Sequence, residues 1–277
     1  MGIFDFLKSK PVYIPDCMTY FKFNEHFKLY KKIFSKLGIN YKLLDKTLCS
    51  GFEALEVGYE SEARNIAKKN FEILSKENIN SIITTSPGAY KIFSQDYPRF
   101  IPSWNIKILN LWELILKKLK NSRINKISEI EVITFNDNCY LGRYSGIYDE
   151  PRKILKFLGY EIKELDNFRE NSFCTGSCGS LPLINIFIAN KIAKEKILQA
   201  KRIGVKKMVV IGFEDYEILK NNVKNNSQDN IHSIEILEIS EVLGMALGFT
   251  PSTKEEKILL ETKANIGLAK EIKEELD

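Results

Sequence analysis

Residues 32–51 read KIFSKLGINYKLLDKTLCSG, and residues 153–176 read KILKFLGYEIKELDNFRENSFCTG. Both segments begin with an amphipathic run that ends in Leu-Gly, continue with a short apolar run, and end in Cys-Ser-Gly or Cys-Thr-Gly. The glycine of each Leu-Gly pair, Gly38 and Gly159, suits the C-terminal cap of a helix because glycine adopts left-handed backbone angles freely. The two segments therefore predict one helix–strand–loop unit that is present twice in the chain.

The repeat extends beyond these segments. Residues 78–93, NINSIITTSPGAYKIF, match residues 204–219, GVKKMVVIGFEDYEIL, and residues 106–114, IKILNLWEL, match residues 234–242, IEILEISEV. Each of these segments has an apolar run, rich in β-branched residues, followed by the start of a helix. Strands that alternate with helices are typical of parallel sheets flanked by helices. We therefore expect an α/β fold of two pseudo-symmetric βα domains that arose by internal duplication.

The repeat divides the chain into three regions. We expect residues 1–124 to form the first repeat domain and residues 125–250 the second, joined by the polar residues around 121–126. Residues 251–277 are charged and amphipathic, and we expect them to form a helical tail.

Apolar residues at helical spacing predict a long helix in each domain. The first covers Glu60–Lys76, and the second covers Leu183–Ala200. The second helix carries Ile184, Phe187, Ile188 and Ile192 at helical spacing.

Composition limits the classes of protein to which the chain can belong. Of its 277 residues, 44% are hydrophobic and 28% are charged, which excludes a disordered or low-complexity chain. The net charge of +5 is small and both signs are interspersed, so we expect no nucleic-acid partner. No apolar run reaches the roughly 18 to 20 residues of a bilayer-spanning helix, and the N-terminal apolar stretch is shorter than the core of a signal peptide. We therefore expect no membrane span and a cytoplasmic location.

Four of the five cysteines fall at equivalent positions of the two repeats. In the first repeat 31 residues separate Cys17 from Cys49, and in the second 34 residues separate Cys139 from Cys174. Each stands where a strand or loop leads into a helix, and parallel strands bring their carboxyl ends to one edge of a sheet. We therefore expect Cys17 to approach Cys49, and Cys139 to approach Cys174. Five is an odd number and too few for a disulfide framework, so we interpret the cysteines as reduced thiols or as parts of a metal site.

This arrangement resembles the cysteine-rich CCG domain found in the B and D components of heterodisulfide reductase. The family pattern is one Cys, a spacing similar to those above, Cys-Cys-Gly, a second spacing, and Cys-Pro-x-Cys, and it normally occurs twice per chain. Three stretches add to the resemblance, namely GFEALEVGYESEA at 51–63, NINSIITTSPGAY at 78–90 and CYLGRYSGIYDEPRKIL at 139–155. The resemblance implies a component of a redox or electron-transfer complex, with iron–sulfur clusters held by cysteines and with other subunits as partners.

The chain departs from the family pattern at most of its cysteine positions. Six positions where the pattern has Cys hold other residues, namely Ser50, Ser86, Ala89, Thr175, Gly212 and Asp215. Asn136 stands where the family has His, and Cys178 is a cysteine that the pattern lacks. Two matching thiols per repeat are too few for the family's cluster, because such a cluster needs a thiolate on every iron. We therefore expect altered or lost iron–sulfur sites.

Three kinds of function remain open for such a chain. The first is an oxidoreductase-like component with an iron–sulfur cluster of a non-family type, or with a zinc ion. Its candidate metal ligands are Cys17, Cys49, Cys139, Cys174 and Cys178. The second is a thiol enzyme or thiol-based binder that uses Cys174 and Cys178, beside a glycine-rich turn that opens a helix. The third is a non-catalytic scaffold, regulatory component or small-molecule binder that keeps the fold without a cluster.

Arg143 is the candidate for binding a substrate. It lies in the segment CYLGRY, which starts at Cys139. A guanidinium group binds a carboxylate or phosphate through two parallel hydrogen bonds, so Arg143 is suited to an anionic substrate. The alternative is a structural salt bridge with Asp149 or Glu150.

Overall fold

The computed structural model describes residues 10–45, 47–127, 129–225 and 233–249. Within these residues the strands form two parallel sheets, one in each half of the chain, with helices around them. The α/β class predicted from the sequence is therefore confirmed. The expected helical tail at 251–277 lies outside the described residues, and the division at residues 124 and 125 stays a prediction.

The first sheet is built from short strands that are buried or partly buried. Its strands are β1 (Val12–Tyr13), β2 (Ser81–Ile83) and β3 (Lys107–Ile108), and they pair in the order β1-β2-β3. Lys42 forms an isolated parallel bridge with Val12, on the side of β1 away from β2. The α-helices of this half are α1 (Asn24–Lys36), α2 (Phe52–Glu56), α3 (Glu60–Lys76), α4 (Pro87–Lys91), α5 (Tyr97–Phe100) and α6 (Leu111–Leu119), and Met18–Lys22 and Ile92–Asp96 are π-helical.

The second sheet repeats this plan with longer strands. Its strands are β4 (Val132–Phe135), β5 (Glu161–Ile162), β6 (Lys207–Val210) and β7 (Glu235–Glu238), in the order β5-β4-β6-β7. The β5 strand occupies the place that the Lys42 bridge occupies in the first half, so the two strand orders match. The helices are α7 (Asp149–Leu158), α8 (Leu181–Ile184), α9 (Ile186–Arg202), α10 (Phe213–Asn225) and α11 (Ile239–Ala246). The internal repeat therefore exists in the fold as well as in the sequence.

Several local predictions are confirmed. Gly38 and Gly159 follow α1 and α7 with φ angles of +62° and +106°, in the left-handed region that favours glycine. The helix predicted over Glu60–Lys76 has those bounds as α3.

The single helix predicted over Leu183–Ala200 is wrong, because the chain breaks at Asn185. The Asn185 side chain accepts a hydrogen bond from the backbone N–H of Ile188 and thereby caps a new helix. Three of the apolar residues at helical spacing do not pack in the core, since Ile184, Phe187 and Ile188 are 72%, 65% and 46% exposed. Half of the residues that α9 buries are alanines, and the full set is Ala189, Ala193, Lys196, Ile197, Gln199 and Ala200.

The two halves pack against each other through helices and side chains. Helix α11 of the second half contacts α1 of the first, and the Tyr30 hydroxyl donates a hydrogen bond of 2.8 Å to the buried Glu238 carboxylate. The Tyr140 ring packs edge-on against Phe52, with ring centroids 4.7 Å apart. Among the described residues, no helix combines the length and the apolar character that crossing a bilayer requires.

Candidate functional site

The first half of the chain holds a pair of thiols. Cys17 lies in the segment after β1, and Cys49 lies just before α2. Their thiols are close enough to share a hydrogen bond, as the sequence predicts. The backbone of Cys49 is fixed by Asn70, whose side-chain N–H donates to the Cys49 carbonyl oxygen at 2.7 Å, and by Tyr97, whose hydroxyl donates to the Ser50 carbonyl oxygen at 3.0 Å.

The hydrogen bond between these thiols shifts their pKa values in opposite directions. It lowers the pKa of Cys49 to about 6, with help from the backbone N–H of Gly51, while burial acts in the opposite direction. The same hydrogen bond and burial raise the pKa of Cys17, as do the charges of Glu53 and Asp16. Cys49 is exposed and Cys17 is half-buried, so the more acidic thiol is the accessible one.

In the first half, the other positions where the family pattern has Cys hold residues that contribute to the local structure. The Ser50 hydroxyl accepts a hydrogen bond from the Phe52 backbone N–H at 3.3 Å. The Ser86 hydroxyl accepts one from the Ala89 backbone N–H at 3.2 Å and so caps α4. Ala89 is 1% exposed and packs in the apolar core. These side chains stabilise loops and helix ends.

The second half brings three thiols together. The Sγ atoms of Cys139 and Cys178 lie 3.1 Å apart, and Cys178 also hydrogen bonds to Cys174. The Gly176 backbone N–H donates to the Cys174 sulfur at 3.3 Å. The hydrogen bond to Cys178 and burial raise the pKa of Cys174. The hydrogen bond to Cys139 and burial raise the pKa of Cys178, although its bond to Cys174 acts in the opposite direction. Cys178, the cysteine that the family pattern lacks, therefore lies between Cys139 and Cys174 and contacts both.

A buried carboxylate stands next to this thiol group. Asp215 is 1% exposed, and its two oxygens accept hydrogen bonds from four side chains. The donors are Asn136 at 2.9 Å, Asn138 at 3.0 Å, Thr175 at 2.6 Å and Ser177 at 2.6 Å. Three residues of this network, Asn136, Thr175 and Asp215, occupy positions where the family has His or Cys. Asp215 accepts hydrogen bonds from the other two, so these lost ligand positions form a connected polar network.

Two basic side chains hold the loops around the thiols. Arg152 is buried and forms paired hydrogen bonds, each 2.7–2.8 Å long, to both Asp137 and Glu164. Lys196 is fully buried, and its Nζ donates to the Ser172 hydroxyl at 3.2 Å and to the Phe173 carbonyl oxygen at 2.9 Å. Burial lowers the pKa of Lys196 to about 8, although nearby carboxylates act against the shift.

Arg143 is exposed beside the same group. Its guanidinium donates to the Ser172 carbonyl oxygen at 2.5 Å, and it borders the small cavity between Cys139 and Cys174. Asp149, one of the two salt-bridge partners considered from the sequence, pairs instead with Arg169. The substrate-binding role of Arg143 stays a prediction.

The donor sets do not fit the iron–sulfur cluster that the family pattern implies. In the first half Ser86 is a helix cap and Ala89 offers no donor atom, so two thiols remain. In the second half, the cavity bordered by Cys139, Cys174 and Cys178 is too small to admit a water molecule. Across the described parts of the chain, no group of three or more His, Cys, Asp or Glu side chains is placed to hold a metal ion. Binding of a different cluster or of zinc by the five cysteines stays a prediction.

A larger cleft separates the two halves. It has a volume of about 400 Å³. Its walls include Phe52, Glu53 and Glu56 from the first half, and Tyr140, Cys178 and Glu214 from the second. The Tyr140 hydroxyl joins the walls, because it donates to the Glu56 carboxylate and accepts from the Gly179 backbone N–H. Cys178 is thus at once a member of the thiol group and a part of the cleft wall.

The two α/β halves match and carry cysteines in equivalent loops, so the chain is a protein in which one cysteine-bearing domain occurs twice. The sequence pattern of the CCG cysteine-rich domain matches residues 12–90 and 133–212, more than half of the chain. The chain belongs to the CCG cysteine-rich domain family, and the resemblance described from the sequence is confirmed.

Three curated relatives of this chain bear the names of redox proteins. The probable iron-sulfur-binding oxidoreductase FadF of Bacillus subtilis is 29% identical over 79% of this chain and 32% of its own length. One component of the dihydromethanophenazine:CoB–CoM heterodisulfide reductase from Methanosarcina mazei is 24% identical over 61% of this chain and 43% of its own length. One component of the CoM/CoB fumarate reductase from Methanothermobacter marburgensis is 23% identical over 78% and 42%. The chain therefore spans less than half of the length of each.

A solved structure shows the same fold. A hypothetical protein from Helicobacter pylori matches with a TM-score of 0.58 at 13% identity, over 90% of this chain and 51% of that protein. At this identity the match concerns the fold alone.

Sequence reasoning missed several residues of the site. Asn138 follows Asn136 and Asp137 directly after β4, and this run of polar residues at a strand end is a signal that was available. Lys196 lies on the stripe of α9 that buries Ala189, Ala193 and Ala200, so its helical spacing also marked it as buried. No local pattern marks Arg152 as a buried residue. It lies on α7, and its partners Asp137 and Glu164 lie in loops outside that helix.

Proposed function

We propose that this chain is a component of a redox or electron-transfer complex in which the iron–sulfur sites of the CCG domains are lost and the retained thiols carry the redox chemistry. The observation that carries the proposal is the contact between Cys139 and Cys178 at 3.1 Å, in a family whose named relatives include iron–sulfur oxidoreductase components. A pair of adjacent thiols can exchange two electrons and two protons without a metal.

Other subunits are the partners we infer. Two relatives bear names that make them components of larger enzymes, and this chain spans less than half of each. The domains at residues 1–124 and 125–250 would each present a thiol group to such a complex. The five cysteines are free, which suits a reducing compartment, and we infer a cytoplasmic location.

Arg143 supports an anionic partner or substrate next to the thiols. Its guanidinium is exposed and hydrogen bonds to a backbone carbonyl, that of Ser172. The donors not used there are available for a carboxylate or phosphate.

The test replaces the four cysteines that match the family pattern, Cys17, Cys49, Cys139 and Cys174, by serine in the complete protein. The electron-transfer activity of the complex isolated with it is then measured. The proposal expects activity to be lost while the complex and its circular dichroism spectrum stay intact. Activity that survives in the quadruple variant would contradict the proposal.

A second candidate function is a scaffold that binds a small molecule without redox chemistry. The cleft of about 400 Å³, which has walls from both halves, favours it. The same quadruple variant separates the two functions, since a scaffold would work equally well without the four thiols.

A further inference from the structure

Cys49 is the cysteine that solvent reaches most freely. All five cysteines lie in the described part of the chain, and Cys49 is exposed while the other four are partly buried. Cys139, Cys174 and Cys178 border a cavity that is too small to admit a water molecule. A small molecule in solution therefore meets Cys49 before it meets the thiols of the second half.

A second thiol stands directly beside Cys49. The half-buried Cys17 is close enough to share a hydrogen bond with Cys49, although 31 residues separate the two in the sequence. If Cys49 is oxidised, a thiol is already in contact with its sulfur. That thiol is itself more shielded from solvent than Cys49 is.

The loops that carry the two thiols are held by hydrogen bonds. The Asn70 side-chain N–H donates to the Cys49 carbonyl oxygen at 2.7 Å. The Thr19 backbone N–H donates to the Asp16 carboxylate at 2.6 Å, and this bond closes the turn that contains Cys17. A pair of thiols held in contact favours reaction within the pair, because closing the bond costs little further conformational entropy.

The surroundings of Cys49 indicate which class of reactant suits it. Cys49 is not among the residues that line the cleft between the halves. The Gly51 backbone N–H donates a hydrogen bond to the Cys49 sulfur, and such a bond stabilises negative charge on the attacking atom. A surface thiol outside the cleft suits a small neutral oxidant that needs no binding pocket, and hydroperoxides oxidise accessible thiolates that lie next to a second cysteine.

We propose that Cys49 and Cys17 form a peroxide-sensitive modification site, in which a hydroperoxide oxidises Cys49 to a sulfenic acid and Cys17 converts that acid into a disulfide. This inference goes beyond the proposed function, which concerns electron transfer within a complex and is carried by the contact between Cys139 and Cys178. The site responds to an oxidant in solution, and it needs neither partner subunits nor a ligand in the cleft.

The reaction balances with one molecule of hydrogen peroxide. Cys49, as the thiolate, attacks one oxygen; an S–O bond forms, the O–O bond breaks, and hydroxide leaves and takes up the proton that Cys49 lost. Cys17, as the thiolate, then attacks the Cys49 sulfur; the S–S bond forms, the S–O bond breaks, and hydroxide leaves and takes up the Cys17 proton. The two thiols lose two electrons, and the peroxide gains them in forming two molecules of water.

The test exposes the reduced complete chain, under argon, to a limiting amount of hydrogen peroxide and then alkylates the remaining thiols. Peptide mapping identifies the oxidised cysteines over time. We expect the disulfide between Cys17 and Cys49 to form about tenfold faster than any oxidation of Cys139, Cys174 or Cys178, because oxidation follows exposure. Oxidation that begins in the second half, or a disulfide that joins Cys49 of two molecules, would overturn the inference.

Two single variants separate the roles of the thiols. In Cys17→Ser the sulfenic acid on Cys49 has no thiol beside it, so dimedone should label Cys49 strongly there and weakly in the wild type. In Cys49→Ser the remaining Cys17 should be oxidised about tenfold more slowly than Cys49 is in Cys17→Ser, since Cys17 is half-buried. Equal rates in the two variants, or equal dimedone labelling of Cys17→Ser and the wild type, would overturn the assignment. The activity of the complex plays no part in these readouts, so this inference and the proposed function fail separately.

Discussion

Cys139 and Cys178 place their sulfur atoms 3.1 Å apart, although one follows a strand of the second sheet and the other lies in the loop that precedes α8. A disulfide bond is about 2.05 Å long, so an approach of roughly 1 Å would complete it. Cys178 is also the cysteine that the family pattern lacks. The half that lost three expected ligands has therefore gained a thiol in direct contact with a retained one.

Asp215 is expected to be a main support of this thiol group. Asp215→Asn removes the charge that four side-chain donors share, and it turns an N–H group toward some of those donors. We expect the free energy of unfolding to fall by about 2–3 kcal/mol, measured by urea denaturation of the reduced protein. Asp166→Asn, at an exposed position, is the matched control and should change stability little. Equal stability of the two variants would show that the network around Asp215 contributes nothing.

Arg152 is expected to matter more for stability than a surface arginine. Arg152→Met leaves the carboxylates of Asp137 and Glu164 without their buried partner, and the unfolding free energy should fall by about 3 kcal/mol or more. Arg64→Met, which removes an exposed pair with Glu60, should cost less than about 1 kcal/mol. Thermal or urea unfolding of both variants makes the comparison. A similar cost for both would contradict a structural role of the buried pairs.

The lowered pKa of Lys196 makes the free energy of unfolding depend on pH. Burial lowers its pKa from 10.5 to about 8, so between these values the unfolded chain binds more protons at this residue than the folded chain does. Its contribution to the unfolding free energy should therefore rise as the pH increases from about 8 to 10. The measurement is the difference in unfolding free energy between the wild type and Lys196→Met at several pH values.

The control for this series is Lys163→Met, at an exposed position, for which the difference should stay flat from pH 8 to 10. A flat difference for Lys196→Met as well would mean that the folded protein holds this lysine charged at no cost.

The sequence alone was enough to predict the class of fold, because apolar periodicity and glycine caps are local signals. The pairing of Cys17 with Cys49 also followed, since strand ends in a parallel sheet meet at one edge. The break at Asn185 did not follow, because the cap that Asn185 forms competes with an apolar pattern that continues through it at helical spacing. The position of Cys178 between Cys139 and Cys174 depends on how a glycine-rich loop folds, and no periodicity encodes that.

The polar network around Asp215 could not be predicted from spacing for a related reason. Its donors come from the end of β4, from the cysteine loop and from the turn before α8, so they meet only once the second half has folded. The family pattern identified Thr175 and Asp215 as missing ligands but said nothing of what replaced them. The structure shows that they hydrogen bond to each other.

The central claim is that retained thiols, and not the clusters implied by the family pattern, occupy the two half-sites. Native mass spectrometry of the complete chain, purified and sprayed under strictly anaerobic conditions, tests it most directly. We predict the mass of the bare polypeptide with its five cysteines reduced. Added masses of iron and sulfide that disappear when Cys139, Cys174 and Cys178 are replaced by serine would contradict the claim.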